Sequence, residues 1–134
     1  MNALNGIRVL VVEDEGAVAM LIEDMLEDFG CVVVASVAQL GKACDVARSI
    51  EVDLAMLDVN LAGQLVFPVA EILRDREIPF LFSSGYGRAA LQGEFALRPV
   101  LQKPFSQEEL KERIAVALAL TQGKSMRASC AEPR

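Results

Sequence analysis

Polar residues of unusual type stand where apolar runs end. Glu13 and Asp14 follow Val9-Leu10-Val11-Val12, and Asp58 follows Leu54-Ala55-Met56-Leu57. Ser83 and Ser84 follow Phe80-Leu81-Phe82, and Lys103 follows Val100-Leu101-Gln102. If those runs are strands of one parallel sheet, their carboxyl ends share one edge, where open α/β folds build ligand sites. Three acids, a hydroxyl and an ammonium then meet on one rim. The acid surplus suits a divalent cation or a basic protein patch. Each residue also has an ordinary reading. Glu13-Asp14 suits a helix start, where acids complement the dipole. Asp58 and Ser84 suit strand-end turns, and Lys103 suits solvent. The coincidence at four strand ends carries the signal.

The elements that must position these residues are legible as an alternation. Short apolar runs rich in β-branched residues lie at Ile7–Val12, Cys31–Ala35, Leu54–Leu57, Phe80–Phe82 and Val100–Gln102, with amphipathic stretches between them. That pattern predicts an α/β fold with a parallel sheet covered on both faces. Val18, Leu21, Ile22, Met25, Leu26 and Phe29 mark the buried face of a first helix that Gly30 stops. Ser36 with Gln39 reads as a capping box for a second helix bearing Leu40, Ala43, Cys44, Ala47 and Ile50. Pro68 opens a third, with Val69, Ile72 and Leu73 inward. A fourth, weakly patterned, is expected around Ala89–Phe95. Ser106 with Glu109 caps a fifth, and Phe105 with Leu110 has staple spacing. From Thr121 the chain turns polar. The reading is one domain over 6–120 and a disordered tail over 121–134.

Composition narrows the function classes. The 134 residues suffice for one core without metal or disulfide staples, and 53% are apolar. The net charge of −6 and the absence of Trp argue against nucleic acid and anionic membranes as partners. No apolar run approaches the ~18 residues of a membrane span, and the start does not resemble a signal peptide. A cytoplasmic location is expected. Cys31, Cys44 and Cys130 form no metal or disulfide pattern. His is absent, so any phosphohistidine must belong to a partner.

The runs Val9-Leu10-Val11-Val12-Glu13-Asp14-Glu15 and Asp53-Leu54-Ala55-Met56-Leu57-Asp58-Val59-Asn60-Leu61, with Ser84-Gly85 and Lys103-Pro104-Phe105, resemble the receiver domain of bacterial response regulators. The resemblance covers residues 6–120 and matches a single-domain type. It implies a flavodoxin-like (βα)5 three-layer sandwich, with a five-stranded parallel sheet of order 2-1-3-4-5 and five helices. It implies that Asp58 is the phosphorylated nucleophile. Mg2+ is then held by Asp14, Asp58 and the backbone carbonyl of Asn60, with Glu13 acting largely through water. Ser84, Gly85 and Lys103 receive the phosphoryl oxygens. The implied partners are a histidine kinase or histidine phosphotransfer protein, and a downstream protein. No enzyme activity is implied beyond self-phosphorylation and self-dephosphorylation at Asp58. Lys103-Pro104 is implied to be cis.

The chain also departs from that pattern. Val100 stands where many receivers carry a switching aromatic, and Tyr86, in Phe82-Ser83-Ser84-Gly85-Tyr86, is an alternative switch or a modulator of dephosphorylation. Its ordinary reading is a rim aromatic. Ala62 replaces a frequent Pro and Gly63 follows, which predicts a more mobile loop. Three competing readings remain. A receiver that binds partners without phosphorylation conflicts with the intact acid, serine and lysine set. An aspartyl-nucleophile phosphatase needs an acid two residues after the nucleophile, where this chain has Asn60. A flavodoxin relative needs a hydroxyl-rich loop where Glu13-Asp14-Glu15 stands.

Overall fold

Strands apolar at every position need cover on both faces, and the helices between them supply it. The structure is a computed structural model that describes residues 4–131, and side chains for residues 4–120. The chain runs β1 (Arg8–Val12), α1 (Gly16–Asp28), β2 (Val32–Val37), α2 (Leu40–Ser49) and β3 (Leu54–Asp58). A small hairpin follows, β4 (Asn60–Leu61) with β5 (Gln64–Leu65), then α3 (Phe67–Asp75) and β6 (Phe80–Ser84). Two 3-10 turns, Gly87–Ala90 and Gly93–Phe95, lead to β7 (Val100–Gln102) and α4 (Gln107–Ala131). The main sheet is parallel, in order β2-β1-β3-β6-β7. With the hairpin set aside, this is the expected order 2-1-3-4-5.

Alternate residues of each strand feed opposite faces. Leu10, Val12, Ala55, Leu57, Phe80 and Phe82 pack against Ala43 and Ala47 of α2 and Val69, Ala70 and Leu73 of α3. Val9, Val11, Leu54, Met56, Leu81 and Leu101 pack against Ile22, Met25 and Leu26 of α1 and Leu110, Ile114 and Ala117 of α4. Burying each large apolar side chain contributes roughly 1.5–3 kcal/mol. The two cores therefore fix the strands, and with them the rim.

Local signals set the helix ends. After α1, Gly30 sits at φ +89°. Its N–H donates to the Glu27 carbonyl at 2.9 Å, and the Cys31 N–H donates to the Leu26 carbonyl at 3.0 Å. This is the paired closure of a Schellman motif. At α4 the capping box forms as expected: Ser106 N–H donates to Glu109 Oε1 at 2.9 Å, and Glu109 N–H to Ser106 Oγ at 3.1 Å. Pro68 lies in the first turn of α3.

Three expectations fare differently. Leu21 is 54% exposed, because the buried stripe of α1 passes through Ala19, Ile22, Met25 and Leu26 instead. Ser36 belongs to β2, paired with Val11, so it caps nothing, and α2 starts after Gln39 without a side-chain cap. The fourth helix is absent among the described residues. Gly87 and Gly93 take φ +60° and +54°, and Gln92 is extended, which breaks the stretch into the two 3-10 turns. Finally, the expected disordered tail, 121–134, lies outside the residues whose side chains are described.

What holds the 3-10 segment is aromatic packing. Phe95 stacks on Phe67 with centroids 5.7 Å apart, and meets Phe82 and Phe80 edge-on at 5.8 and 6.0 Å. Glu94 pairs with Arg74 of α3, and the Arg98 guanidinium lies 4.6 Å over the Phe80 ring.

The Gly30 geometry yields a stability prediction. A Cβ there would stand 2.5 Å from Asn5 Oδ1 and 3.2 Å from its Cα, at a positive φ. Gly30→Ala is expected to lower unfolding stability by about 1–2 kcal/mol in urea denaturation; an unchanged midpoint contradicts this account of the α1 end.

Candidate functional site

β1, β3, β6 and β7 end on the same rim, and each delivers polar atoms to it. Glu13 follows β1 and is held by its own N–H, which donates to the Val37 carbonyl at 3.0 Å. Its side chain is almost wholly buried. Asp58 ends β3 opposite Ser83 of β6 and is also buried. Lys103 follows β7, and its N–H donates to the Ser84 carbonyl at 2.9 Å. The peptide bond Lys103-Pro104 is cis, as the resemblance implied.

The Lys103 ammonium bridges two of the acids, with Nζ 3.0 Å from Glu13 Oε1 and 3.1 Å from Asp58 Oδ2. Carboxylate oxygens of Glu13, Asp14 and Asp58 all lie within 4.8 Å of one another. The other oxygens have neutral donors. Glu13 Oε2 accepts from the Glu15 N–H at 3.2 Å, and Asp58 Oδ1 from the Asn60 N–H at 3.3 Å. Asp14 Oδ2 accepts from the Ala62 N–H at 3.1 Å.

Three negative groups face one positive one, and the charges show it. Burial pushes the Asp58 carboxyl up to about 7, helped by its hydrogen bond with Glu13 and the Glu13 charge, against the opposing pull of Lys103. For Lys103, burial disfavours the ammonium, but the hydrogen bond it donates to Glu13 and the charges of Asp58 and Glu13 outweigh it and raise the value. The site is short of positive charge. Its donors are hard carboxylate oxygens clustered at one point, so the residues fit a divalent cation such as Mg2+.

The remaining sequence-predicted residues fall as follows. Ser84 is buried, and its Oγ accepts from the Tyr86 N–H at 2.9 Å. Gly85 is exposed with open space where a Cβ would stand, so packing does not require glycine there. Tyr86 is 80% exposed. Val100 is buried. Asn60 is exposed, and its Oδ1 accepts from the Gly63 N–H at 2.7 Å. Ala62 and Gly63, where a more mobile loop was expected, form the turn of the β4–β5 hairpin. Sequence reasoning missed the direct Glu13–Lys103 pair and the Ala62 contact with Asp14. The latter comes from a backbone group, which no residue letter announces.

Comparison with known proteins agrees with this geometry. The response regulator receiver domain family matches residues 9–115, and the chain belongs to that family. It is 32% identical over 118 residues to the transcriptional regulatory protein YvrH of Bacillus subtilis (strain 168), covering 84% of this chain and 49% of YvrH. The chain thus spans about half the length of that relative. Among solved structures it is similar to SdrG from Sphingomonas melonis Fr1, with 38% identity and a TM-score of 0.76, over 87% of this chain and 98% of SdrG. It is also similar to the response regulator PhyR from Brucella abortus, with 27% identity and a TM-score of 0.78, over 92% of this chain and 52% of PhyR. Among the described residues no helix is long and apolar enough to cross a membrane.

The Asp58 charge balance makes a pH prediction for the metal-free protein. A carboxyl raised in the folded state binds its proton more tightly there than in the unfolded chain. Its contribution to stability is present at low pH and is lost as pH rises from 3.8 towards about 7. Asp58→Asn removes that loss. Thermal melting in chelator is expected to show the variant gaining on the wild type as pH rises across that window; a constant difference contradicts the assignment.

Proposed function

We propose that this chain is a phospho-acceptor receiver that takes phosphate from a histidine kinase or a histidine phosphotransfer protein onto Asp58 and signals through phosphorylation-dependent protein contacts. The observation that carries the reading is the buried Glu13–Lys103–Asp58 bridge beside Asp14. It leaves one carboxylate poised at a rim that lacks positive charge.

In this reading Asp14, Asp58 and the backbone carbonyl of Asn60 would hold Mg2+, with Glu13 acting largely through water. When bound, Mg2+ neutralises carboxylate charge and the equatorial phosphoryl oxygens. An Asp58 carboxylate oxygen attacks the phosphorus of the partner's phosphohistidine in line. A P–O bond forms, the P–N bond breaks, and the imidazole leaves with the bonding pair, neutral because the phosphoimidazole was protonated. Lys103 moves from carboxylate neutralisation towards a phosphoryl oxygen, for which its two present contacts position it. Ser84 turns its hydroxyl from the Tyr86 N–H to another oxygen, and the Gly85 N–H lies next in the chain. Exchanging one hydrogen bond for another links the modification to the segment after β6. Tyr86, two residues after Ser84, is exposed.

Output through protein contacts accords with the acidic surface, which disfavours nucleic acid and anionic membranes. A cytoplasmic location fits the same reading. PhyR of Bartonella quintana, 27% identical to this chain, is an anti-anti-sigma factor; a protein target is accordingly the class of output to seek. Asn60 argues against a phosphatase, since its amide cannot serve as the general acid.

With acetyl phosphate and Mg2+, the wild type is expected to gain one phosphoryl group by intact mass, and Asp58→Asn none. Persistent stoichiometric labelling of that variant contradicts the reading. Tyr86→Ala is expected to shorten the phosphoryl half-life several-fold by opening the rim to water; equal half-lives remove Tyr86 from dephosphorylation.

A further inference from the structure

The hairpin after Asp58 has a strained tip. Leu61 pairs with Gln64 across a two-residue turn whose central residues, Ala62 and Gly63, take φ +51° and +91°. Positive φ at both positions is the signature of a type I′ turn, which favours Asn, Asp or Gly first. Alanine in that conformation costs about 1–2 kcal/mol. Such strain persists where surrounding contacts over-determine it.

Those contacts converge on the acid cluster. Leu61 and Val66 are buried, and the Val66 N–H donates to the Val59 carbonyl at 2.9 Å, closing the hairpin base. The Gly63 N–H donates to Asn60 Oδ1 at 2.7 Å, fixing the turn from within. The two amides left to point at the site are Asn60 N–H, on Asp58 Oδ1, and Ala62 N–H, on Asp14 Oδ2. One short hairpin therefore touches a carboxylate from β3 and one that follows β1, residues 48 apart in the Ala62–Asp14 case.

We propose that the Ala62 N–H is a positioning group for Asp14. It occupies Oδ2 and presents Oδ1 to a divalent cation shared with Asp58. The inference rests on Asp14 being a metal ligand in the reading above. The physical case has three parts. A backbone N–H adds partial positive charge to a cluster short of it without competing for coordination. A bond to one oxygen fixes the carboxylate's rotation, so less orientational freedom is lost on metal binding. A rigid two-residue turn at positive φ aims the N–H by backbone geometry alone, which accounts for tolerating Ala62 in a conformation that alanine disfavours.

The test removes the N–H while keeping the side chain. Lactic acid in place of Ala62, introduced by semisynthesis, converts the amide to an ester. Isothermal titration with MgCl2 is expected to give a Kd about 10-fold weaker than wild type. Ala62→Gly, which keeps the N–H and relieves the strain, is expected to stay within about 2-fold. Glycolic acid in place of Gly63 loosens the same hairpin without touching Asp14, and is expected to bind like wild type. Equal affinity in the residue-62 ester overturns the positioning role alone, and tighter binding does so too, by making the bond a competitor of the metal. No Mg2+ binding by the wild type overturns the site reading itself. If the ester does not fold, hydrogen exchange of the wild-type Ala62 amide decides: protection kept or strengthened by Mg2+ supports the proposal, and protection lost on adding Mg2+ overturns it.

Discussion

The structure turns on one ammonium held between two buried carboxylates. Lys103 reaches Glu13 and Asp58 from the far end of the sheet, at 3.0 and 3.1 Å, while Asp14 adds a third acid. Setting three acids, two of them buried, against a single lysine is unfavourable, and the Asp58 carboxyl is pushed up to about 7. The fold tolerates this because two apolar cores fix β1, β3, β6 and β7 so firmly that their ends cannot spread. The cluster is thus poised for added positive charge. In the proposed reading a divalent cation would relieve the repulsion, and a lysine already in place would follow a phosphoryl group.

The surroundings divide into a part closed by apolar packing and a part held by a few tethers. The strands and the helices behind them are closed by apolar packing and by backbone motifs such as the α1 terminus. The stretch after β6 is different. It consists of two 3-10 turns broken at glycines, tethered by Phe95 among Phe67, Phe80 and Phe82 and by the Arg74–Glu94 pair. Ser84 joins the two parts, since its hydroxyl accepts from the Tyr86 N–H. A change at the rim has a direct mechanical route into that segment, although the position of the usual switching aromatic holds only the buried Val100.

Much of this was legible in the sequence, for identifiable reasons. Glu13, Asp14, Asp58 and Lys103 were visible because each interrupts an apolar run at a strand end, where packing alone would not place a charge. The Ser106–Glu109 box and Gly30 were visible because their chemistry is local. Ser36–Gln39 has the same letters as a capping box, but pairing with β1 claimed Ser36 for the sheet. Leu21 was misplaced because Ala19, a small residue with a weak hydrophobic signal, takes the inward position. The fourth helix was expected from a weak pattern that Gly87 and Gly93, both at positive φ, override. The hairpin at Ala62 was illegible because alanine does not advertise a positive φ; tertiary contacts impose it.

A crystal structure with Mg2+ and beryllofluoride, a phosphoryl mimic, tests the central claim most directly. The account predicts beryllium bonded to an Asp58 carboxylate oxygen, Mg2+ bridging Asp14 and Asp58, and the Lys103 ammonium transferred from its carboxylates to a fluorine. Beryllofluoride bound at another residue, or Lys103 still bridging Glu13 and Asp58 with no cation among the three acids, would contradict it.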